Sequence, residues 1–299
     1  MMSNDPLTLS SGDLELQLSP SIGGAISAFT WIGGGGPKPV LRECHSPLEK
    51  VLDAACFPLV PFVNRIRGGC FDFRGRSVRL APNMAGDPSP LHGQGWLNAW
   101  QVEEAGSSAG TLSYSHQAGE WPWAYEARQE FKLEGNALHL RLACTNRSGE
   151  PMPCGLGFHP YFPCGAGSRI QTDVEEVWAV DENVLPVARM PAVGRYAIAD
   201  DPVCGRGLDN GYGGWSGRAI LSDADWPFEL ELSSPQARFF QLYSPEEGGI
   251  FVAEPVTHAN AGLNAPEEDW PALGMRALEP GETMELAARI AVEPRQGLG

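Results

Sequence analysis

Long apolar runs are missing from this chain. No window of its 299 residues approaches the ~20 consecutive apolar residues of a membrane helix. Met1 to Pro20 holds neither a basic cluster nor a continuous apolar core, so no secretory signal is expected there. Basic residues are scarce as well. Lys and Arg total 21 against 37 Asp and Glu, a net charge of -16. Such a surface repels phosphate backbones and anionic lipid heads. Nucleic acid and membrane are therefore not expected partners, and a small neutral or cationic ligand fits better. The seven cysteines are odd in number and scattered, with no Cys-x-x-Cys, so neither a disulfide framework nor a structural zinc site is expected. Together these absences point to a soluble protein of a reducing cytoplasm. Helical patterning is also lacking: at the ~3.6-residue period no amphipathic helix exceeds about three turns. Only Val51 to Phe57 and Glu267 to Leu273 suggest short helical pieces. The Gly33 to Gly36 run is followed by Pro37 and has no Lys-Ser/Thr, so it is a loop and not a phosphate cradle.

What is present is period-2 alternation. Leu14, Leu16 and Leu18 alternate with Glu15 and Gln17. Phe71 and Phe73, then Gly75, then Val78 and Leu80 suggest a hairpin. Tyr125, Ala127, Phe131 and Leu133 share a parity, as do Leu138, Leu140, Leu142 and Cys144 after the Gly135-Asn136 turn. Phe228 to Leu232 and Met284 to Val292 repeat the pattern. These are half-buried strands separated by Gly and Pro turns. The expected fold is all-β, an antiparallel sandwich or barrel. No linker divides the chain, so one domain is expected over 1–299, with a structured core at about 10–293.

Three residues invite a chemical reading. Glu254 ends the run Ile250-Phe251-Val252-Ala253 and shares its parity with Ile250 and Val252. Pro255 follows, so the strand is expected to end or reach an edge there. A carboxylate among apolar neighbours has a raised pKa and can serve as a base. His159 lies in Gly157-Phe158-His159-Pro160-Tyr161-Phe162, where Pro160 biases it to an extended backbone in an aromatic setting. His92 lies in Leu91-His92-Gly93-Gln94-Gly95, where the glycines permit close approach of a ligand or another backbone. Each also has an ordinary explanation: a solvated strand-end Glu, a core histidine bonded to a carbonyl, a loop histidine. Arg65 belongs to a five-arginine cluster, with Arg67, Arg74, Arg76 and Arg79, that suits a solvated hairpin face. Asp209 reads as a turn residue.

The set is more specific than its members. Asn64-Arg65, Leu91-His92-Gly93, Gly157 to Phe162, Leu208-Asp209-Asn210 and Glu254-Pro255 occur in this order in a β-rich chain. The chain resembles the aldose 1-epimerase (galactose mutarotase) family. Phe57 to Ile66 and Glu254 to Asn264 look particularly like its bacterial members. The resemblance implies a supersandwich of large antiparallel sheets with a sugar cleft. It also implies cofactor-free, metal-free interconversion of the anomers of a free hexose such as galactose or glucose. Carried over, Glu254 is the base at the anomeric hydroxyl, and His159 is the acid at the ring oxygen. His92 bonds near that oxygen, and Arg65, Asp209 and Asn64 bind the sugar. Trp96, Trp123, Trp178 and Trp215 are candidates for stacking on the sugar, with core packing as the alternative. The protein is expected to act on a monosaccharide, as a monomer or homodimer.

Three other readings compete. A hexose-6-phosphate epimerase would use Arg67, Arg74, Arg76 or Arg79 for the phosphate, but Val63-Asn64-Arg65-Ile66-Arg67 resembles the free-sugar members. A non-catalytic carbohydrate-binding sandwich would not need both His159 and Glu254. A metal enzyme could use His92, His159 and Glu254 as ligands, but no His-x-His or His-x-x-x-His spacing supports it.

Overall fold

The computed structural model describes residues 6–44 and 47–295; the ends of the expected 1–299 domain, including the start of Met1 to Pro20, lie outside them. The alternating segments form strands, and these strands pair into antiparallel sheets. A nine-stranded sheet runs in the order Ala199–Pro202, Arg169–Thr172, Arg218–Ser222, Phe228–Ser233, Thr283–Pro294, Ala137–Asn146, Tyr125–Glu134, Ala109–His116, Gln101–Ala105. At its centre Leu138 faces Ile290, Leu140 faces Ala288 and Leu142 faces Leu286 across the ladder. All six are buried, and a fully buried Leu or Ile side chain contributes about 1.5–3 kcal/mol.

An eight-stranded sheet carries Asp209 and Glu254, with His159 just beyond the end of one of its strands. Its order is Pro186–Pro191, Glu176–Val180, Leu208–Gly213, Phe239–Ser244, Ile250–Val256, Gly157–Phe158, Pro58–Leu59, and Tyr161–Pro163 also pairs with Ile250–Val256. A four-stranded sheet built from Leu7 to Pro39 completes the supersandwich with two small two-stranded sheets. One of these is the expected hairpin: Cys70–Phe73 pairs with Arg76–Arg79. Its turn residues Arg74 and Gly75 both have positive φ, as a tight two-residue turn demands. Helix is confined to short pieces, including a 3₁₀ turn at Val51–Asp53 and one helical turn at Trp270–Leu273.

Two expectations are corrected. The strand bearing Glu254 neither ends at Pro255 nor lies at an edge. It runs on to Val256 between Phe239–Ser244 on one side and Gly157–Phe158 and Tyr161–Pro163 on the other. Proline is tolerated because the second ladder is interrupted: it pairs at Val252 and at Val256 but not between them. There the neighbouring chain passes through His159-Pro160. The second correction concerns cysteine. Cys164 and Cys204 form a disulfide across 40 residues, with Cα atoms 5.7 Å apart. Cys164 follows Tyr161–Pro163 and Cys204 precedes Leu208–Gly213, so only the folded sheet brings them together. Among the described residues no helix is long and apolar enough to cross a membrane.

Candidate active site

Along Ile250–Val256, Phe251 and Ala253 face the main core, while Val252, Glu254 and Val256 face the opposite side. Glu254 is only 2% exposed. Beside it, the N–H groups of His159 and Tyr161 both donate backwards, to the carbonyls of Phe57 and Ala55. That fixes the extended backbone that Pro160 favours and aims the His159 ring at the gap in the ladder. The ring stacks on Phe57 at 4.5 Å and leans on Tyr161 at 4.7 Å. His159 Nε2 lies 3.4 Å from Glu254 Oε1. Glu254 Oε2 and His159 Nδ1 are buried without a partner.

Burial dominates the electrostatics of this pair. It pushes the Glu254 carboxyl well above the usual carboxylate range; Asp209 adds to the effect and Arg65 opposes it. It pushes the His159 imidazole down to about 3, and Arg42 adds to that. Both shifts favour the neutral forms. The pair therefore holds one proton over a wide pH span, as a carboxylic acid beside a neutral imidazole. A carboxylate beside an imidazolium has the same proton count.

Asn64 and His92 are locked to each other. Both adopt left-handed backbone, φ 55° and 58°, which is uncommon outside glycine. The His92 N–H donates to the Asn64 carbonyl at 3.0 Å, and the Asn64 N–H donates to His92 Nδ1 at 3.1 Å. Nδ1 is thus an acceptor, so the neutral ring carries its proton on Nε2. Burial, with His159 and Arg65 nearby, holds the His92 pKa well below 6.5. The close approach permitted by Gly93 is to backbone: a Cβ there would stand 2.2 Å from the Val60 carbonyl oxygen.

Arg65 is flanked by carboxylates. Its Nε donates to Asp87 Oδ2 at 2.8 Å, and its Nη2 lies 3.7 Å from Asp209 Oδ2. Gln241 stands directly across the ladder from Glu254; its Nε2 donates to Asp209 Oδ1 at 2.6 Å, and its Oε1 accepts from Asn64 Nδ2 at 3.4 Å. Burial raises the Asp209 pKa, against the pull of Arg65 and Gln241. Asp87 and Gln241 were not singled out from the sequence. The signal for Gln241 was a polar residue inside the apolar run Phe239-Phe240-Gln241-Leu242-Tyr243; Asp87 had none.

These groups, Asp87 and Gln241 excepted, line a cleft of about 330 Å³. All six residues singled out for a site are in its wall: Asn64, Arg65, His92, His159, Asp209 and Glu254. Leu52, Phe57, Met84, Leu91, Trp96, Tyr161 and Tyr243 supply the apolar and aromatic remainder. Of the four tryptophans considered, Trp96 lines the cleft. Trp123 packs on Phe71 and Phe73, Trp178 on Phe239, and Trp215 on Phe240. Arg74 and Arg76 lie on the hairpin, paired with Glu267, Glu279 and Glu150, and Arg67 reaches the Pro186 carbonyl. Among the described residues no group of three or more His, Cys, Asp or Glu side chains is arranged to hold a metal ion.

A profile of the aldose 1-epimerase family matches residues 6–291. The chain belongs to that family. It is 33% identical over 298 residues to YphB, an uncharacterised Escherichia coli K12 protein, covering 95% of this chain and 98% of YphB. The solved structure of a proposed aldose 1-epimerase from Escherichia coli K12 superposes with a TM-score of 0.88 at 31% identity, covering 97% of this chain and 99% of that one. An aldose epimerase homologue from C. elegans gives 0.83 at 15% identity, covering 98% and 99%, a likeness of fold alone. The galactose mutarotase-like supersandwich expected from the sequence is therefore the fold observed.

Proposed function

We propose that this aldose 1-epimerase family member interconverts the α and β anomers of a free hexose, such as galactose or glucose. The observation that carries the reading is the pairing of Glu254 with His159, 3.4 Å apart in an aromatic cleft and each with a buried unpartnered atom. Sugar hydroxyls bind as its proton moves to give carboxylate and imidazolium. Glu254 takes the proton of the anomeric hydroxyl while His159 gives one to the ring oxygen. The C1–O5 bond breaks and C1=O forms. After rotation about C1–C2, His159 recovers a proton from the C5 hydroxyl as O5 attacks C1, and Glu254 returns one to the anomeric oxygen. The pair ends as it began, with no change of oxidation state. His92, donating from Nε2, bonds near the ring oxygen, and Arg65, Asp209 and Asn64 hold hydroxyls. The protein then works on a monosaccharide, without nucleic acid or membrane.

A phosphorylated hexose fits less well. Arg65, the cation of the cleft wall, already stands against Asp87 and Asp209. Polarimetry of freshly dissolved α-D-galactose, α-D-glucose and glucose 6-phosphate tests this: acceleration is expected for a free sugar and little for the phosphate. No acceleration for any of them removes the proposal.

The pair also sets the pH dependence. A second proton adds to it only near the depressed His159 value of about 3, and its single proton is held above the ordinary carboxylate range. These limits belong to the pair and not to either residue. The acid limb of kcat/KM is therefore expected well below the ordinary imidazole value of ~6.5, followed by a broad plateau. An acid limb centred on the ordinary imidazole value would contradict the one-proton pair.

A further inference from the structure

The segment Thr257 to Asn264 follows Glu254, stood out in the sequence, and does not line the cleft. Its side chains have a different task. The strap Val63 to Arg67, which carries Asn64 and Arg65, belongs to no strand of the sheets. Its backbone N–H groups are nevertheless all taken. On one edge, Val63 N–H donates to His258 Nε2 at 3.0 Å, Arg65 N–H to Asn260 Oδ1 at 3.1 Å, and Arg67 N–H to Asn264 Oδ1 at 2.7 Å. On the other, Asn64 N–H goes to His92 Nδ1 and Ile66 N–H to the Pro90 carbonyl. The alternation is that of a strand edge. Three side chains of a turn stand where a neighbouring backbone would be.

The three are not equivalent. His258 is fixed by its own Nδ1 bond to the Ala259 carbonyl, with Gly155 packed against the ring. Asn264 caps Arg67, whose side chain lies outside the cleft. Asn260 holds the backbone of Arg65 itself, and its Nδ2 donates to the Val184 carbonyl at 2.7 Å. Val184 has φ 57°, a conformation costly for a β-branched residue. It sits in the turn joining Glu176–Val180 to Pro186–Pro191. Asn260 is 6% exposed and ties the strap to that turn.

We propose that Asn260 is a positioning residue of the sugar site: it sets Arg65, and with it Asn64, by fixing the backbone between them. This rests on the functional reading above. Arg65 and Asn64 hold hydroxyls and are remote in the chain from the proton-transferring pair. Loss of the Asn260 side chain is therefore expected to act on substrate binding more than on chemistry. Asn260→Ala is expected to raise KM about tenfold, the equivalent of ~1.4 kcal/mol, with kcat little changed. Asn260→Asp keeps the acceptor for the Arg65 N–H and is expected to retain the wild-type KM, even where its melting temperature falls. Asn264→Ala removes the same kind of bond two residues along and is expected to leave KM unchanged. An unaltered KM in Asn260→Ala, or an equal rise in Asn264→Ala, overturns the proposal. Amide hydrogen exchange at Arg65 decides it without turnover. Exchange should quicken in Asn260→Ala and not in Asn264→Ala; equal protection in both overturns the positioning role. A wild-type protein that accelerates no sugar removes the mutarotase reading, and exchange at Arg65 still judges Asn260.

Discussion

Glu254→Gln is expected to slow mutarotation by about 10²–10⁴-fold while the sugar still binds, the usual contribution of a positioned base. Glutamine keeps the length and one acceptor oxygen but cannot take a proton. Water is a poor substitute, because the carboxylate oxygens are buried between Val252 and Val256. The substitution also carries its own control. Burial holds the Glu254 pKa above its unfolded value, so the folded chain binds the extra proton and the unfolded chain does not. Stability from this group is thus present below the unfolded carboxyl value of ~4.3 and is lost as pH rises through the raised folded one. Near neutral pH, glutamine mimics the neutral acid without that cost, and the melting temperature should hold or rise. Polarimetry, sugar titration and a thermal melt on one preparation check all three. Full activity in the variant would remove Glu254 from the chemistry; a fall in melting temperature alongside lost activity would point to general damage.

His159→Gln should cost a similar ~10²–10⁴-fold, and the double variant with Glu254→Gln should be little slower than either single. Ring opening needs one proton removed and one delivered together, so a lone surviving partner has half a reaction to offer. The His159 variant should also lose some stability, about 0.5–1.5 kcal/mol, because the stack on Phe57 at 4.5 Å goes with the ring. Rate losses that multiply in the double variant would mean that the two groups act independently.

Much of this was legible along the chain, and the illegible parts share one cause. Alternation named the faces of Leu138 to Cys144 and Met284 to Val292 because a strand's period is local. The shared parity of Ile250, Val252 and Glu254 likewise put the carboxylate on one face with aliphatic side chains. Asp87 beside Arg65, and Asn260 beneath it, are 22 and 195 residues away and leave no local mark. Cys164 and Cys204 fail for the same reason. Pro255 misled differently. The rule that proline closes a ladder assumes a continuous neighbour, and here the neighbour is discontinuous.

That discontinuity has a further consequence. A hole in a sheet would ordinarily expose stranded amides, and water would enter to satisfy them. His159 and Tyr161 turn their N–H groups away toward Phe57 and Ala55, so position 160 looks across at the Glu254 strand. Both Pro160, there, and Pro255, in the missing stretch of ladder, have no N–H to strand. Two imino acids thus let the fabric of the sheet open without inviting solvent, and the vacancy they leave is where an imidazole and a carboxyl can share a proton.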